Sequence, residues 1–517
     1  MNLLRAISTV GGFTMLSRLF GFVRDMLIAA VLGAGPIADA FFVAFKFPNL
    51  FRKLFAEGAF SAAFVPIYAG KLEVEGEASA RDFAQSAFAM LFVILAIFVG
   101  VIELAMPLVM RLFAPGFLNN PEQFSLVVTL TRITFPYLLF ISLVSLIAGV
   151  LNSSGRFAAA AATPILLNIC LIGAILLLTP MMPSPGHALA WGVAIAGLVQ
   201  LVWLYGALAR SGFWLQLRMP RLSDDIKTLI KRALPVALGA GIYQVNLVID
   251  TVIASLLPSG SISYLFYADR ITQLPLGVVG VAVGTALLPM LSRQVRSGNQ
   301  DAAHHAQNRA IEFSLLLTLP AAVALFVIAE PVVTVLFQRG AFGMVEAAKT
   351  MSALAIYALG LPAYVLVKSL APAFFAREDT KTPVIIAVVA MMVNLVLNLI
   401  LMGPFLHVGI AMATVASAWL NTALLAIVLY KRGQLRMDAR LAGRLPRTLL
   451  ASFIMGAALY GGYGFLADRF AGSEPERIFA LAILITGGLA VFAGSALALG
   501  AVKISDLKSL KRSESSA

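Results

Sequence analysis

Apolar runs long enough to cross a lipid bilayer recur along the whole 517-residue chain. Each run holds about 20 residues, which at about 1.5 Å of rise per helical residue spans the hydrocarbon core of a membrane. Hydrophobic residues make up 60% of the sequence and charged residues 12%, whereas soluble domains contain about half and a quarter. Segments of about ten residues with alternating polarity, which a membrane β-barrel requires, are missing from the sequence. The chain is therefore predicted to be an all-α polytopic membrane protein.

Polar breaks between the apolar windows predict fourteen transmembrane helices. The second is short and is interrupted by Lys46 and Pro48. The first contains Arg18 and has no small-residue cleavage site after it, so we expect a retained helix and not a signal peptide. The predicted spans lie near 10–33, 37–52, 84–112, 124–151, 158–180, 186–209, 233–256, 262–291, 310–337, 347–375, 383–402, 407–430, 446–467 and 478–501.

Lysine and arginine are concentrated in the loops on one side of these spans. Because fourteen is even, both termini lie on the same side, and 27 of the 38 Lys and Arg residues fall there, against 5 in the opposite loops. The positive-inside rule therefore predicts that both termini are cytoplasmic. The same distribution accounts for the net charge of +13, since these loops would face an anionic leaflet. Without a basic stripe interleaved with aromatic residues, nucleic-acid binding is not expected.

The sequence contains a weak internal repeat. MPLVMRLFAPGF (106–117) parallels EPVVTVLFQRGAF (330–342), which places Gly116 over Gly340. Four further pairs follow in the same order: 40–46 with 264–270, 64–68 with 287–291, 135–140 with 361–366, and 192–197 with 409–414. Five matches in order indicate two copies of a six-helix unit.

A unit with an even number of helices enters the membrane in the same sense each time. The two copies are therefore expected to form parallel lobes around a central cavity, related by an axis along the membrane normal, as in transporters built from two lobes. The predicted division is an N-lobe of six helices (1–220), a C-lobe of six helices (221–440), and two further helices with a tail (441–517).

Several ionisable residues lie inside or at the edge of the predicted spans, where a charge is costly unless it faces a cavity or a partner. One interpretation is structural ion pairing of Arg18 with Asp25, Arg24 with Asp39, and Arg52 with Glu57. The other is an anion-binding cavity, because the cations outnumber the anions. The cations are Arg18, Arg24, Lys46, Arg270 and Lys368, and the anions are Asp25, Asp39 and Asp269. Arginine forks suit phosphate, so this hypothesis predicts a phosphate-bearing substrate.

A second polar set has a different character. Asp250 lies well inside the seventh span with Asn246 one turn earlier, and Asn394 and Asn398 share a face of the eleventh. With Thr414 of the twelfth span, they offer one carboxylate and neutral oxygens, which suits Na⁺ or a proton on the carboxylate. Hydrogen bonding between helices is the alternative. Glu103 in the third span has no predicted partner.

No catalytic arrangement accompanies these groups. The lone cysteine, Cys170, excludes an internal disulfide or a paired-cysteine metal site. The Gly70-Lys71 pair is followed by leucine, so it is not a phosphate-binding loop. The four histidines have no ligand spacing. We therefore expect a protein that is not an enzyme.

Three stretches of the sequence resemble the MurJ/MviN lipid II flippases, a branch of the multidrug/oligosaccharidyl-lipid/polysaccharide exporter superfamily. They are SRLFGFVRD, GAGPIADAFFVAFKFPNLFRKLFAEGAFSAAFVP and SYLFYADRITQLPLGVVGVAVGTALLP. The likeness covers nearly the whole chain, including the fourteen spans. It implies a transporter that carries lipid II, the undecaprenyl-pyrophosphate-linked disaccharide-pentapeptide of peptidoglycan synthesis, from the cytoplasmic to the periplasmic leaflet of the bacterial inner membrane by alternating access.

The resemblance also implies roles for individual residues. Arg18, Arg24 and Arg270 would engage the head group, with Asp25, Asp39 and Glu57 in or beside the cavity. Weaker correspondences are Lys46, Asn49, Arg52 and Ser263. The last two spans would form a groove for the polyprenyl tail, and membrane lipid and proteins of cell-wall synthesis or division are further implied partners.

Some members of the family have a sodium site that joins the seventh, eleventh and twelfth helices. Asp250, Asn394, Asn398 and Thr414 occupy the corresponding positions, but the eleventh span supplies two amides and no second carboxylate. Na⁺ is therefore one candidate coupling ion, and the membrane potential, worth about 2.3 kcal/mol per charge per 100 mV, is the alternative drive.

The sequence leaves two other functions open. An exporter of another polyprenyl-pyrophosphate-linked glycan would need the same cationic cavity. A non-transporting cell-wall scaffold would not, so charge-neutral replacements in the cavity should leave it active. A drug exporter for cationic compounds is disfavoured by the surplus of buried cations.

Overall fold

The computed structural model describes the backbone of residues 3–216 and 218–503. It describes their side chains except those at 3–8, 55–57, 59, 238–243, 246–247 and 278–286. In this part of the chain every regular element is helical, which satisfies the backbone polar groups internally, as a hydrocarbon environment requires. The chain divides into two compact units, residues 1–263 with 339–342, and residues 264–338 with 343–517.

The described part of the first unit contains nine α-helices and the start of a tenth. They are α1 (Leu3–Leu32), α2 (Pro36–Phe51), α3 (Ser61–Val74), α4 (Glu77–Phe113), α5 (Pro121–Thr134), α6 (Tyr137–Ser153), α7 (Ala158–Gly173), α8 (Pro185–Ala209) and α9 (Asp224–Ser255). A π-helical segment, Arg52–Phe60, joins α2 to α3, and another, Ala174–Leu178, follows α7. Short 3₁₀ turns occur at Pro115–Asn119 and Thr179–Met181.

The second unit begins within α10 and holds the remaining described helices. They are α10 (Ser261–Arg296), α11 (Gln300–Val327), α12 (Ala329–Phe337), α13 (Met344–Phe375), α14 (Lys381–Lys431), α15 (Ala439–Phe465), α16 (Ala467–Phe470) and α17 (Glu474–Ala498). In this unit α13 packs between α11 and α14, while α15 packs on α11 and α17.

Local sequence accounts for many helix starts. Pro36, Pro121 and Pro185 occupy the first helical positions of α2, α5 and α8, where the missing N–H costs nothing and the fixed φ suits the helix. The Asn120 side chain caps α5 by accepting from the Gln123 backbone N–H. Ser473 and Glu476 form a reciprocal capping box on α17.

Packing in the first unit rests on small and aromatic side chains. α2 lies against α5 and α8, and α7 lies against α1 and α8. Ala38, Ala40 and Ala44 on α2 are fully buried, so neighbouring helices can approach its backbone closely. Phe47 sits 5.1 Å, between ring centroids, from both Phe113 and Phe135. These contacts hold α2, which carries several predicted site residues, against its neighbouring helices.

The prediction of an all-helical membrane protein is confirmed, and every predicted span falls on a helix. Within the described residues, nine helical stretches are long and apolar enough to cross a membrane; the count of fourteen stays a prediction. The nine are Glu77–Phe113, Pro121–Ser153, Ala158–Met181, Pro185–Ala209, Gln300–Val327, Met344–Phe375, Lys381–Lys431, Ala439–Phe465 and Glu474–Ala498. The predicted eleventh and twelfth spans are two helices that meet at a kink at Leu406, whose φ is +51°, and they share the label α14. The three predicted domains (1–220, 221–440 and 441–517) stay predictions.

Candidate functional site in the first unit

Arg24 is held in a buried network between α1 and α7. Its Nε and Nη2 atoms donate to Asp25 Oδ1 at 2.9 and 2.7 Å, and its Nη1 donates to Asn168 Oδ1 at 2.8 Å. Asn168 Nδ2 in turn donates to the Ser17 carbonyl at 2.9 Å. Arg24 and Asp25 are 5% and 3% exposed. The guanidinium is thus charge-compensated and fixed in place by a second helix.

Sequence reasoning missed Asn168. The available signal was an amide inside the apolar run ATPILLNICLIG, because a polar side chain in a membrane helix normally has a partner. Its role in the structure is to orient Arg24, a residue that the sequence did single out.

Arg18 contrasts with Arg24. It lies earlier on the same helix, is half-buried, and has no hydrogen-bond or ion-pair partner within the described residues. The expected pair of Arg18 with Asp25 is not formed, because the Asp25 carboxylate bonds its neighbour Arg24. Of the three charged side chains on α1 that the structure describes, Arg18 is therefore the one without a compensating partner among the described residues.

Asp39 anchors the beginning of α10. Its carboxylate accepts from the Gly260 N–H at 2.6 Å, the Ser263 N–H at 2.9 Å and the Ser263 hydroxyl at 2.6 Å. Asp39 is 2% exposed. The first turn of a helix has unsatisfied N–H groups and a partial positive charge, so a carboxylate there is stabilising. The expected pair of Asp39 with Arg24 is not formed, and Asp39 and Ser263 are brought together instead.

The contact between Asp39 and Ser263 joins equivalent positions of the predicted repeat. The two residues are 224 positions apart, which is the offset that places Gly116 over Gly340. Both glycines lie in the first unit as well. They belong to the short turns that follow α4 and α12.

Each of these glycines packs against the carboxyl end of a long helix. A Cβ at Gly116 would lie 1.9 Å from the Ser255 carbonyl oxygen at the end of α9. A Cβ at Gly340, whose φ is +55°, would lie 2.2 Å from the Ala30 carbonyl oxygen near the end of α1. The neighbouring Ala341 N–H donates to that same Ala30 oxygen at 2.7 Å. We call these two glycine contacts, together with the Asp39 anchor, the turn clasp.

The remaining site residues of the first unit lie toward the other end of α2. Asn49 Nδ2 donates to the Phe45 carbonyl at 2.7 Å, and Arg52 Nε donates to Asn49 Oδ1 at 3.0 Å. Lys46 is half-buried. Glu57, and with it the expected Arg52–Glu57 pair, lies outside the described side chains.

Candidate functional site in the second unit

Three predicted site residues lie on α10 and α13. Asp269 is exposed and accepts from Gln273 Nε2 at 3.2 Å. The guanidinium carbon of Arg270 lies 5.1 Å from the centroid of the Phe266 ring, a cation–π arrangement. Lys368 is exposed on α13. The cavity predicted to unite these residues with those on α1 and α2 stays a prediction.

Three of the polar residues predicted to bind a cation, Asn394, Asn398 and Thr414, lie in α14 and form hydrogen bonds within it. Asn398 Nδ2 donates to Asn394 Oδ1 at 2.9 Å, and Asn394 Nδ2 donates to Ser417 Oγ at 3.5 Å. Thr414 Oγ1 donates to the Ile410 carbonyl at 2.9 Å. The described residues contain no group of three or more His, Cys, Asp or Glu side chains suited to a metal ion.

Asp250, the carboxylate of the predicted cation set, belongs to the first unit and is half-buried. The Asn246 side chain lies outside the described residues. The amide donors and acceptors on α14 therefore fit a hydrogen-bonded helix seam, and Na⁺ binding stays a prediction.

Relationship to known proteins

The fold is that of an all-helical transporter. A solved inward-facing multidrug resistance MATE family transporter of the MOP superfamily matches 83% of this chain and 98% of its own, with a TM-score of 0.69 and 15% identity. At that identity the match shows the fold alone. A solved structure described as lipid II flippase MurJ, inward closed conformation, matches 94% of this chain and 97% of its own, with a TM-score of 0.78 and 27% identity.

Sequence comparison shows to which family of transporters the chain belongs. The family described as lipid II flippase MurJ matches residues 28–479. A probable lipid II flippase MurJ from Rhizobium meliloti (strain 1021) is 45% identical over 100% of this chain and 97% of its own. A relative of the same description from Vibrio cholerae is 36% identical over 98% of each chain. The chain therefore belongs to the MurJ family of lipid II flippases, and it is a multi-pass inner-membrane protein.

Proposed function

We propose that this protein moves lipid II from the cytoplasmic to the periplasmic leaflet of the inner membrane. The observation that carries the proposal is the match to lipid II flippases along almost the whole chain. The physical problem in this transport is the head group. Its pyrophosphate is anionic, and burying an uncompensated charge in hydrocarbon costs several kcal/mol.

Arg18 is the proposed first contact for the pyrophosphate. Its half-buried guanidinium lacks a hydrogen-bond or ion-pair partner within the described residues, so binding an anion there would not require breaking an existing ion pair. Arg24 is proposed as the second contact, because Asp25 and Asn168 already fix its orientation and less side-chain entropy is lost on binding. Arg270, Lys46 and Lys368 complete the proposed cationic surface.

Alternating access is the proposed mechanism, with both termini in the cytoplasm. In that orientation the turn clasp lies at the periplasmic end of the helices. It ties the carboxyl ends of α1 and α9 to the turns around Gly340 and Gly116. For lipid II to leave toward the periplasm these contacts have to separate, so we propose that the clasp holds the periplasmic exit closed.

The test is transport of lipid II in vesicles reconstituted with the purified protein. Arg18→Ala should reduce the transport rate at least tenfold, because one charged hydrogen-bonding partner contributes about 1.5–3 kcal/mol. Arg210→Ala, which removes an exposed arginine, is the matched control and should leave the rate unchanged. Equal rates for all three proteins would rule out Arg18 as the head-group contact, and no transport by any of them would rule out lipid II flipping.

A further inference from the structure

The proposed transport function does not use two ionisable side chains on α4 and α5. Glu103 lies about ten residues, or about 15 Å at 1.5 Å per residue, before the end of α4 at Phe113. Arg132 lies at a similar distance from the start of α5 at Pro121. Both are inside helices apolar enough to span the membrane. Their neighbours Leu104 and Leu108 are 85% and 60% exposed, so this surface faces the hydrocarbon of the bilayer.

A proline explains why these two residues are adjacent. Pro107 has no N–H, so the carbonyl of Glu103, four residues earlier, loses its helical hydrogen bond. Arg132 Nε donates to that carbonyl at 3.3 Å. The contact satisfies a backbone oxygen and places a guanidinium beside the Glu103 side chain.

Arg132 lies close enough to Glu103 to attract its carboxylate, but the two side chains make no direct ion-pair contact within the described residues. The described residues show no ion pair between Glu103 and Arg132, and Glu103 Oε1 is buried without a hydrogen-bond partner among them. Arg132 is exposed and uses only its Nε atom within this part of the chain. A charge facing hydrocarbon costs about 2.5–3.5 kcal/mol. This surface of α4 and α5 therefore lacks partners for the Glu103 carboxylate and for the remaining Arg132 N–H groups within the described residues.

The same face of α4 permits close approach of another helix. Ala96, Gly100, Glu103 and Pro107 follow one another at spacings of four, three and four residues, so they form one seam. A Cβ added at Gly100 would meet nothing within 4 Å. Small residues at this spacing are typical of helix–helix interfaces in membranes, where backbones come close together.

We propose that this seam is an interface between two copies of the protein, related by a two-fold axis in which Glu103 of each copy bonds Arg132 of the other. The argument for a second copy is self-complementarity. An isologous interface presents the same patch twice, and this patch carries both the acceptor and the donor that the other needs. Two such ion pairs would give each half-buried Glu103 carboxylate and each exposed Arg132 guanidinium a direct partner of opposite charge.

Cysteine cross-linking in native membranes tests the contact, because the chain has a single cysteine, Cys170, that can be replaced by alanine. Gly100→Cys should give an oxidised species with the mass of two chains. Val101→Cys is the matched control, since it is 57% exposed at the same depth but is turned about 100° around the helix; it should not cross-link. The proposal would be overturned if Gly100→Cys gave no cross-linked species although the protein was present at its normal level. It would also be overturned if the cross-linked species had the mass of one chain joined to a different protein.

A charge-swap mixture separates pairing between copies from pairing within one copy. Two tagged forms are co-expressed, one with Glu103→Arg and one with Arg132→Glu, each carrying Gly100→Cys. Between the two forms both ion pairs are restored, whereas two copies of one form face like charges. We therefore expect cross-linking between the tags to exceed cross-linking within either tag on the order of tenfold. Equal yields would show that the two residues pair within one chain, which contradicts the proposal.

Discussion

Replacing Gly340 by alanine should open the turn clasp. The φ of Gly340 is +55°, a left-handed conformation that costs an alanine about 1–2 kcal/mol. The new Cβ would lie 2.2 Å from the Ala30 carbonyl oxygen, and crowding of this kind costs about 1–3 kcal/mol. The closed arrangement is therefore destabilised by about 2–5 kcal/mol. Even the lower figure changes the ratio of closed to open molecules about 30-fold.

Substitutions at two other glycines separate the effect of backbone strain from the effect of the steric collision. Gly155 has a φ of +73° and nothing within 4 Å of an added Cβ, so Gly155→Ala introduces backbone strain without a collision. Gly116→Ala introduces a collision, 1.9 Å from the Ser255 oxygen, without a positive φ. If the collision opens the clasp, Gly116→Ala and Gly340→Ala should behave alike, and Gly155→Ala should resemble the unmodified protein.

The assay is the labelling rate of a buried cysteine near the clasp. Ser261, at the start of α10, is 3% exposed and is nearly isosteric with cysteine. In a background with Cys170→Ala, a membrane-impermeant maleimide applied from the periplasmic side should label Ser261→Cys about 30-fold faster when Gly340 is alanine. Labelling of the Gly340→Ala and Gly116→Ala forms at the Gly155→Ala rate would refute the clasp.

Three further predictions concern polar contacts. Asp39→Asn should destabilise the start of α10 by about 1–3 kcal/mol, since it removes a charged acceptor of three hydrogen bonds, and should speed labelling in the same cysteine assay. Asn168→Ala should slow lipid II transport in vesicles, because Arg24 loses the hydrogen bond that orients its guanidinium. The free energy of unfolding should change by no more than about 2 kcal/mol. The Arg432 hydrogen bond holds the pKa of the Asp379 carboxyl well below its usual range. That stabilisation is present above the unfolded pKa near 4 and is lost as the pH falls through the lower folded pKa. A pH series of thermal unfolding below about pH 4 should therefore show a steeper loss for the unmodified protein than for Asp379→Asn, and parallel curves would contradict this.

The helical class and the positions of the spans could be predicted from the sequence because hydrocarbon imposes long apolar runs. The breaks inside spans could not. Phe135 and Pro136 separate α5 from α6 within one predicted span, and Ile328 separates α11 from α12, since short breaks leave the mean polarity almost unchanged. Leu406 is the opposite case, because the predicted boundary between the eleventh and twelfth spans coincides with the kink in α14, where the φ of Leu406 is +51°.

Partners of the charged residues were harder to predict than their presence. Helical spacing favours Arg18 with Asp25, seven residues apart, over the adjacent Arg24. The adjacent pair forms because Asn168 from α7 draws the Arg24 guanidinium into the same buried position. Asp39 bonds a helix start 224 residues away, a contact that depends on tertiary packing and leaves no local signal. The offset of the internal repeat is the one indication of this contact in the sequence, and by itself it predicts two copies of a unit without predicting that equivalent positions touch.

The role of Arg18 in carrying lipid II across the membrane is the central proposal. The most direct measurement is the leaflet distribution of lipid II in cells depleted of their own flippase and supplied with this protein or its Arg18→Ala form at equal level. We predict that the unmodified protein restores periplasmic-facing lipid II and that Arg18→Ala does not. Full restoration by Arg18→Ala would contradict the proposed role of Arg18, and failure of the unmodified protein would contradict the proposed substrate.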